Sequence, residues 1–482
     1  MKEHAYKGSR RPGGSPRRFE KVRPTQDPET RPITSTAIQS LKIEGDCVKA
    51  LAALPGIFDE TVPLTQKHRV ELGHTIRSLW EDLTSEREHR TAEYLSSPAY
   101  YSAYVRYFLP WNILRLSSIF SGLPLELEDG ATIVDIGSGP MTVPIALYIA
   151  RPDLRKKQLT IYCLDKTEHI LKVGQTIFES LSVRLSGVLP PWKIIPLRQQ
   201  FGSFLQEKAD LLTAANVFNE FFWKSKTPLG TRALLTARQL LGYLKDSGSI
   251  FLMEPGDPRS GSFISSVRAA LSAFGAFPVA PCPHSHSCPM PGIFRGLSTP
   301  GEELPSGASS KNLSDVVMPK RRDKYPWCHF TIGTESAPAW LKTLSDEAGL
   351  SKDKLVFSYL LSTLPRMPLQ AKKPPESPSL LRIISEEFPL PNFKAGRYAC
   401  SAEGYSLARY SPLSFGFASG DLVRMPQQAV PAAPGAPQEK RPAGKPQTRL
   451  ADILDHRPIP AAKAAGKGKD IDEKSGAIIV SY

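Results

Sequence analysis

The chain has 482 residues and carries 61 Lys and Arg against 47 Asp and Glu, a formal charge of +14. A length of this order predicts two or three domains with a core that needs no disulfide staple, and no apolar run approaches the ~20 residues of a membrane span. With no charged-then-apolar leader at its start, the chain is expected in an intracellular, reducing compartment, where clustered thiols are ligands or reactive groups, and its charge points to a polyanion such as RNA or DNA.

Residues 1–36 read as a disordered tail, with Arg10, Arg11, Arg17, Arg18, Lys21 and Arg23 set among Gly and Pro. Basic arms of this kind contact phosphates without sequence preference. A transit peptide is the competing reading, and Glu3, Glu20, Asp27 and Glu29 count against it. Residues 37–125 are expected to be helical. Leu72, Ile76, Leu79, Trp80 and Leu83 recur at helical spacing. The aromatic stretch from Tyr94 to Phe108 reads as helix packing, and Pro110 is expected to break or kink the segment.

From 126 to 280 short β runs alternate with helical patterns. The strands are expected at Thr132–Ile136, Leu159–Leu164, Lys193–Leu197, Ala209–Ala214 and Ser249–Met253, with a helix such as Arg232–Leu244 between two of them. This alternation predicts an α/β fold with a doubly wound, largely parallel sheet. Residues 281–424 are expected to hold a smaller lobe and the rest of the fold. They contain a Gly/Ser/Pro-rich loop insertion at 291–319 and apolar segments such as Leu355–Leu361 and Leu380–Ile384. Residues 425–482 read as a second disordered tail, rich in Pro, Ala and Lys.

The first expected strand runs into Asp135-Ile136-Gly137-Ser138-Gly139-Pro140. Glycines there let the backbone approach a ligand, and the helix expected at Val143–Ala150 aims its amides at the same place. Asp165 ends the second strand about 30 residues after Asp135, where a carboxylate can accept bonds from ribose hydroxyls. Asn216, Asn219 and Glu220 follow the fourth strand, and Glu254-Pro255-Gly256 the fifth. Together these resemble class I S-adenosylmethionine-dependent methyltransferases, which implies cofactor binding by Asp135, Gly137, Gly139, Pro140, Asp165 and Asn216. A dinucleotide fold fits less well, because the third glycine of that fingerprint is missing. No catalytic acid or base stands out, and methyl transfer needs alignment more than proton chemistry. The Pro-Pro-aromatic run that many nucleic-acid methyltransferases use to stack a base is absent; Asn219 and Glu220 are expected to cap and orient the next turn.

Six cysteines are present, and four of them sit in unusual company: Cys282, Cys288, Cys328 and Cys400. Five, thirty-nine and seventy-one residues intervene between them, so a zinc ribbon of CxxC pairs is a poor description. Four thiolates can close a zinc or an iron–sulfur site, and His284, His286 and His329 could complete a zinc site instead. Cys47 and Cys163 read as core residues.

The pattern Cys-Pro-His-x3-Cys-Pro, then Trp327-Cys328-His329-Phe330, then Cys400-x2-Glu403-Gly404 resembles the family of methyltransferase-like protein 17 and mitochondrial small ribosomal subunit protein 22, which also has bacterial members. The resemblance runs roughly from Tyr94 to Leu407 and includes Phe357-Ser358-Tyr359-Leu360. It implies a [4Fe–4S] cluster on Cys282, Cys288, Cys328 and Cys400, in a small cysteine-ligated lobe, and binding to the small ribosomal subunit and its rRNA during assembly. The chain departs from the family at Met141, where a glycine is usual, and in a longer stretch between Cys288 and Cys328. Within that stretch Lys320, Arg321, Arg322 and Lys324 lead into Cys328 and are candidate rRNA contacts.

Three functional classes follow. One is an S-adenosylmethionine-dependent rRNA methyltransferase in ribosome biogenesis and translation. Another is a non-catalytic assembly factor using the same fold, cofactor pocket and cluster as an RNA-binding platform; a zinc-dependent RNA-binding module is a third class. A protein that is monomeric off the ribosome is expected, in a bacterial cytoplasm or, alternatively, a mitochondrial matrix.

Overall fold

The computed structural model describes residues 46–84, 97–220, 227–290, 327–365, 380–413, 416–424, 455–456 and 477–481. The tail 1–36, the insertion 291–319 and the basic strip Lys320–Lys324 lie outside them.

The N-terminal region is helical, as α1 (Asp46–Thr61), α2 (Gln66–Val70), α3 (Leu72–Thr84), α4 (Pro98–Ala103) and α5 (Leu109–Gly122). Ile76 and Leu79 of the expected apolar stripe are fully buried. Pro110 does not break the segment. It lies in the first turn of α5, and a π-helical turn at Tyr104–Phe108 joins α4 to α5. A proline has no N–H to give the preceding turn, and a wider turn absorbs the mismatch. Arg106, in that π turn, is buried; its guanidinium donates to Asp59 Oδ1 at 2.7 Å and to the Val62 carbonyl at 2.9 Å, tying α1 to the turn.

Five parallel strands form the body of the main sheet: β1 (Thr132–Ile136), β2 (Leu159–Asp165), β3 (Trp192–Arg198), β4 (Ala209–Ala215) and β5 (Leu244–Pro255). Helices α6 (Thr142–Ala150), α7 (Glu168–Ser186) and α8 (Leu229–Leu241) intervene, and α9 (Pro258–Ala273) follows β5. Neighbouring residues of a strand serve opposite faces. Ile133, Leu211 and Phe251 pack with α1 and α3–α7, whereas Val134, Leu212 and Leu252 pack with α8 and α9. Burial on both faces is what makes these strands near-continuous apolar runs. The helix expected at Arg232–Leu244 starts and ends three residues earlier, because Leu244 already pairs with Ala209. The polar Lys245–Gly248 run hides the first half of β5 in the sequence.

The far edge completes the sheet. The expected Leu355–Leu361 segment lies in β8 (Lys354–Thr363), antiparallel to β5. Along the other side of β8 lie two shorter strands, β6 (Phe277–Ala280) and β7 (Phe330–Gly333). The strand order is β3-β2-β1-β4-β5-β8-β6, with β7 also on β8. It reverses direction between β1 and β4, so the carboxyl ends of β1, β2 and β4 meet at a crevice.

A second, seven-stranded sheet was not foreseen from the sequence. It contains β9 (Leu380–Ile383), β10 (Phe388–Leu390), β11 (Lys394–Ser401), β12 (Gly404–Tyr410), β13 (Leu422–Arg424), β14 (Asp455–His456) and β15 (Ala477–Ser481), in the order β13-β9-β11-β12-β15-β14 with β10 on β11. The expectation of one structureless tail over 425–482 is corrected at its end: Ile478–Ser481 pair in parallel with Ser406–Arg409. Ala-Ile-Ile-Val is a β-prone run that the tail's average composition conceals.

Candidate functional site

Two centres stand out. The first is the crevice above β1, β2 and β4. Gly137 (φ 62°), Gly139 (φ 53°) and Met141 (φ 57°) are all left-handed. Glycine adopts this conformation at no steric cost. Met141 occupies the family's glycine position with a left-handed backbone and a side chain wholly buried in the core. The loop is held from three sides. Ser138 N–H donates to the Leu164 carbonyl at 2.9 Å, and Gly139 N–H donates to Asp165 Oδ2 at 3.0 Å. Behind it, α7 brings Gly174 so close that a Cβ there would stand 2.4 Å from the Pro140 carbonyl carbon. Sequence reasoning missed Gly174; the available signal was a glycine inside an otherwise amphipathic helix.

The two acids expected at the cofactor play different parts. Asp165 accepts from Gly139 N–H and, through Oδ1, from Thr167 N–H at 2.9 Å, so it joins the glycine loop to the start of α7. Asp135 is 1% exposed, accepts from Thr213 Oγ1 at 2.6 Å and ties β1 to β4. Burial pushes its carboxyl up to about 7. Asp135 Oδ2, Asn216 Oδ1 and Asn219 Oδ1 are buried and have no hydrogen-bond partner among the described residues. Three such acceptors around β1 and β4 call for donors.

The Glu220 side chain lies outside what the structure describes, and Asn219 Oδ1 does not cap the turn after β4. Glu254, fully buried at the end of β5, does: its Oε1 accepts from Val217 N–H (3.0 Å) and Phe218 N–H (2.8 Å), and its Oε2 from Asn219 N–H (3.1 Å). Burial pushes this carboxyl up to about 8, against the pull of those three amides.

The second centre is the cysteine cavity. The edge of the main sheet explains how distant cysteines meet there. Ala280, ending β6, pairs with Leu361, and Phe330, opening β7, pairs with Phe357 on the same strand. Four residues of strand span about 13 Å. The chain therefore leaves the edge two residues before Cys282 and returns two residues after Cys328, opposite the gap at Ser358–Leu360. Ser358 Oγ donates to the Cys328 carbonyl at 2.7 Å, and Trp327 Nε1 donates to the Gly256 carbonyl at 2.8 Å. Gly261 of α9 leaves room for this element; a Cβ there would stand 2.6 Å from Trp327 Cδ1. Cys400 arrives from the second sheet, where it pairs with Arg382 on β9. Arg382 in turn donates to the Pro281 carbonyl at 2.7 Å.

Cys282, Cys288, Cys328 and Cys400 line this one cavity, together with Arg268 and Arg382. All six cysteines are unbridged, and Cys163 is a core residue as expected. Burial pushes the thiols of Cys288, Cys328 and Cys400 up, so gathering them as thiolates requires positive charge nearby. Burial likewise pulls His284 down to about 3; its Nε2 lies 3.2 Å from Cys400 Sγ. His286 and His329 face the Ala402 and Trp327 carbonyls. Among the described residues no group of three or more His, Cys, Asp or Glu is arranged to hold one metal ion.

The strand order, the antiparallel β8 beside β5 and the glycine loop at the switch point define a methyltransferase-like fold of class I. The family model described as mitochondrial small ribosomal subunit Rsm22 matches residues 128–293 of this chain. The span takes in the glycine loop, the Glu254 cap and the first two cysteines, and ends before Cys328 and Cys400. Among solved structures, the ribosomal protein L11 methylase of Lactobacillus delbrueckii subsp. bulgaricus is 14% identical, covering 35% of this chain and 71% of its own, with a TM-score of 0.24. The plantazolicin methyltransferase BpumL, in complex with SAH, is 12% identical, covering 62% of this chain and 98% of its own, with a TM-score of 0.26. No curated protein matches the chain.

Proposed function

We propose that this protein is a biogenesis factor of the small ribosomal subunit that binds rRNA, holds S-adenosylmethionine in the β1–β4 crevice and carries a [4Fe–4S] cluster on Cys282, Cys288, Cys328 and Cys400. The observation that carries the proposal is the convergence of four thiols from three separated places in the chain on one cavity, beside the methyltransferase sheet of an Rsm22-family segment. The donor set supports a cluster over zinc. A single zinc draws its sulfurs to about 2.3 Å from one point, whereas a cubane holds one thiolate at each of four corners and spreads them around a cavity. Bound there, a cluster would supply a rigid, negatively charged crosslink between the two sheets.

The crevice fits S-adenosylmethionine by its chemistry. The left-handed Gly137 and Gly139 keep the loop backbone open to a ligand, and the partnerless Asp135 Oδ2 and Asn216 Oδ1 suit the cofactor's N–H donors. When bound, it would supply an electrophilic methyl group. This chain's own contribution is alignment, through the loop braced by Asp165 and Gly174 and the turn braced by Glu254. The non-catalytic platform is the second reading, and one observation favours it. The turn where a target base would enter has its amides engaged by Glu254, and no Pro-Pro-aromatic stacking run stands there.

The basic charge supports an RNA partner, with Lys320, Arg321, Arg322 and Lys324 as the proposed contacts. The family's description favours the mitochondrial matrix over the bacterial cytoplasm as the location, and a monomer off the ribosome remains part of the proposal. No helix among the described residues is long and apolar enough to cross a membrane.

Methyl transfer to immature small subunits, run beside Asp135→Ala, separates the two readings: a methyl mark lost with Asp135→Ala supports the enzyme, and assembly failure without loss of any mark supports the platform. Iron, sulfide and visible absorption of anaerobically prepared protein test the cluster; a colourless protein with stoichiometric zinc overturns it.

A further inference from the structure

Arg268 lies in the third turn of α9 and is 3% exposed, with its side chain reaching the cysteine cavity. Its Nε donates to Cys282 Sγ at 3.0 Å. Its Nη2 donates to the carbonyls of His284 (3.2 Å) and His286 (2.7 Å). One planar fork therefore grips the first cysteine and the loop that leads to the second. Among the described residues no carboxylate pairs with it. A buried guanidinium without a counter-charge is costly, and the neighbouring groups able to carry the opposite charge are the sulfurs of Cys282, Cys288 and Cys400. Arg382 lines the same cavity and donates to the Pro281 and Gly420 carbonyls.

We propose that Arg268 is the positioning and charge-compensating residue of the cysteine site, orienting Cys282 and raising both the site's affinity for its cluster and the cluster's reduction potential. The inference rests on the cluster reading given above. A cluster ligated by four thiolates is negatively charged, and one more electron makes it more so. A positive N–H donor on a ligand sulfur stabilises the reduced form more than the oxidised form, so it raises the potential. The same bond fixes the side chain of Cys282 before the metal arrives, which raises affinity.

The test uses the full chain prepared without oxygen, as wild type, Arg268→Gln and Arg268→Lys. Iron content and visible absorption of the wild type are read first, then the midpoint potential by spectroelectrochemical titration and the rate of iron loss to a chelator. In Arg268→Gln the midpoint falls and iron is lost about 10–100-fold faster. Arg268→Lys keeps the charge but cannot serve the sulfur and both carbonyls, so both readouts fall between the other two. If Arg268→Gln does not fold, Arg268→Lys carries the test alone, by the same downward shift and faster loss. A wild type without iron overturns the cluster reading and this inference with it. A wild type with a cluster, whose midpoint and loss rate are unchanged in the variants, overturns the role of Arg268 alone.

Discussion

The crevice and the cysteine cavity both meet the Glu254-Pro255-Gly256 segment, one through the Glu254 carboxylate and the other through Trp327 on the Gly256 carbonyl, yet they are built on different principles. The crevice is made of strand ends and backbone. Its glycine loop, Asp165 and Glu254 lie within one run of alternating strands and helices, and each acts on main-chain amides. The cavity is made of side chains brought from α9, from a gap in an edge strand and from a second sheet. The first should persist when the second is emptied. The second depends on every element that feeds it.

The sharpest break of this contrast is Cys400→Ser. It removes the thiol that comes from the second sheet, and the expected loss of iron affinity is at least about 100-fold. S-adenosylmethionine binding, measured by calorimetry, should stay close to wild type. A parallel loss of both would mean that the two centres are one cooperative unit.

The converse break is Gly174→Ala. A Cβ there meets backbone at 2.4 Å, and backbone cannot swing aside. Overpacking of this kind costs about 1–3 kcal/mol. It should weaken cofactor binding and leave the iron content unchanged.

Asp135 offers a sharper probe through pH. Its folded carboxyl is pushed up to about 7 by burial, above its usual value of 3.8. Between those values the folded chain holds a proton that the unfolded chain has released, so this contribution to stability is complete at low pH and is lost as pH rises through about 7. Thermal unfolding of Asp135→Asn should vary less between pH 5 and 8 than that of the wild type. An unchanged pH profile would remove Asp135 as its source.

The smallest effect is expected at Met141. Exchange for glycine relieves a left-handed residue at about 1–2 kcal/mol and removes a buried side chain worth about 1.5–3 kcal/mol. Met141→Gly should therefore be destabilised by about 1 kcal/mol in chemical denaturation. A stabilised variant would show that the loop strain outweighs the packing.

The parts of the fold that were legible share one cause. Strands β1 to β4 alternate side chains between two apolar faces, and their turn residues fall at fixed offsets, so Asp135, the glycines and Asp165 could be placed by counting. Gly174 and Glu254 act across the fold on backbone groups far away in the chain, and neither role leaves a mark on local periodicity. The second sheet escaped because its strands carry arginines such as Arg382, Arg397 and Arg409, which read as surface until their partners are seen.

The sequence by itself determined the class of the main sheet and the position of the crevice, because side-chain period and backbone freedom are local properties, whereas the grouping of the four cysteines came from the resemblance of their motifs. Only the tertiary structure decided how those cysteines meet. Ala280 and Phe330 are seated four residues apart on β8, Cys400 is delivered by a second sheet, and Arg268 is buried against Cys282. Such closures depend on strand register and on compensation of buried charge, and both exist only once distant segments are packed together.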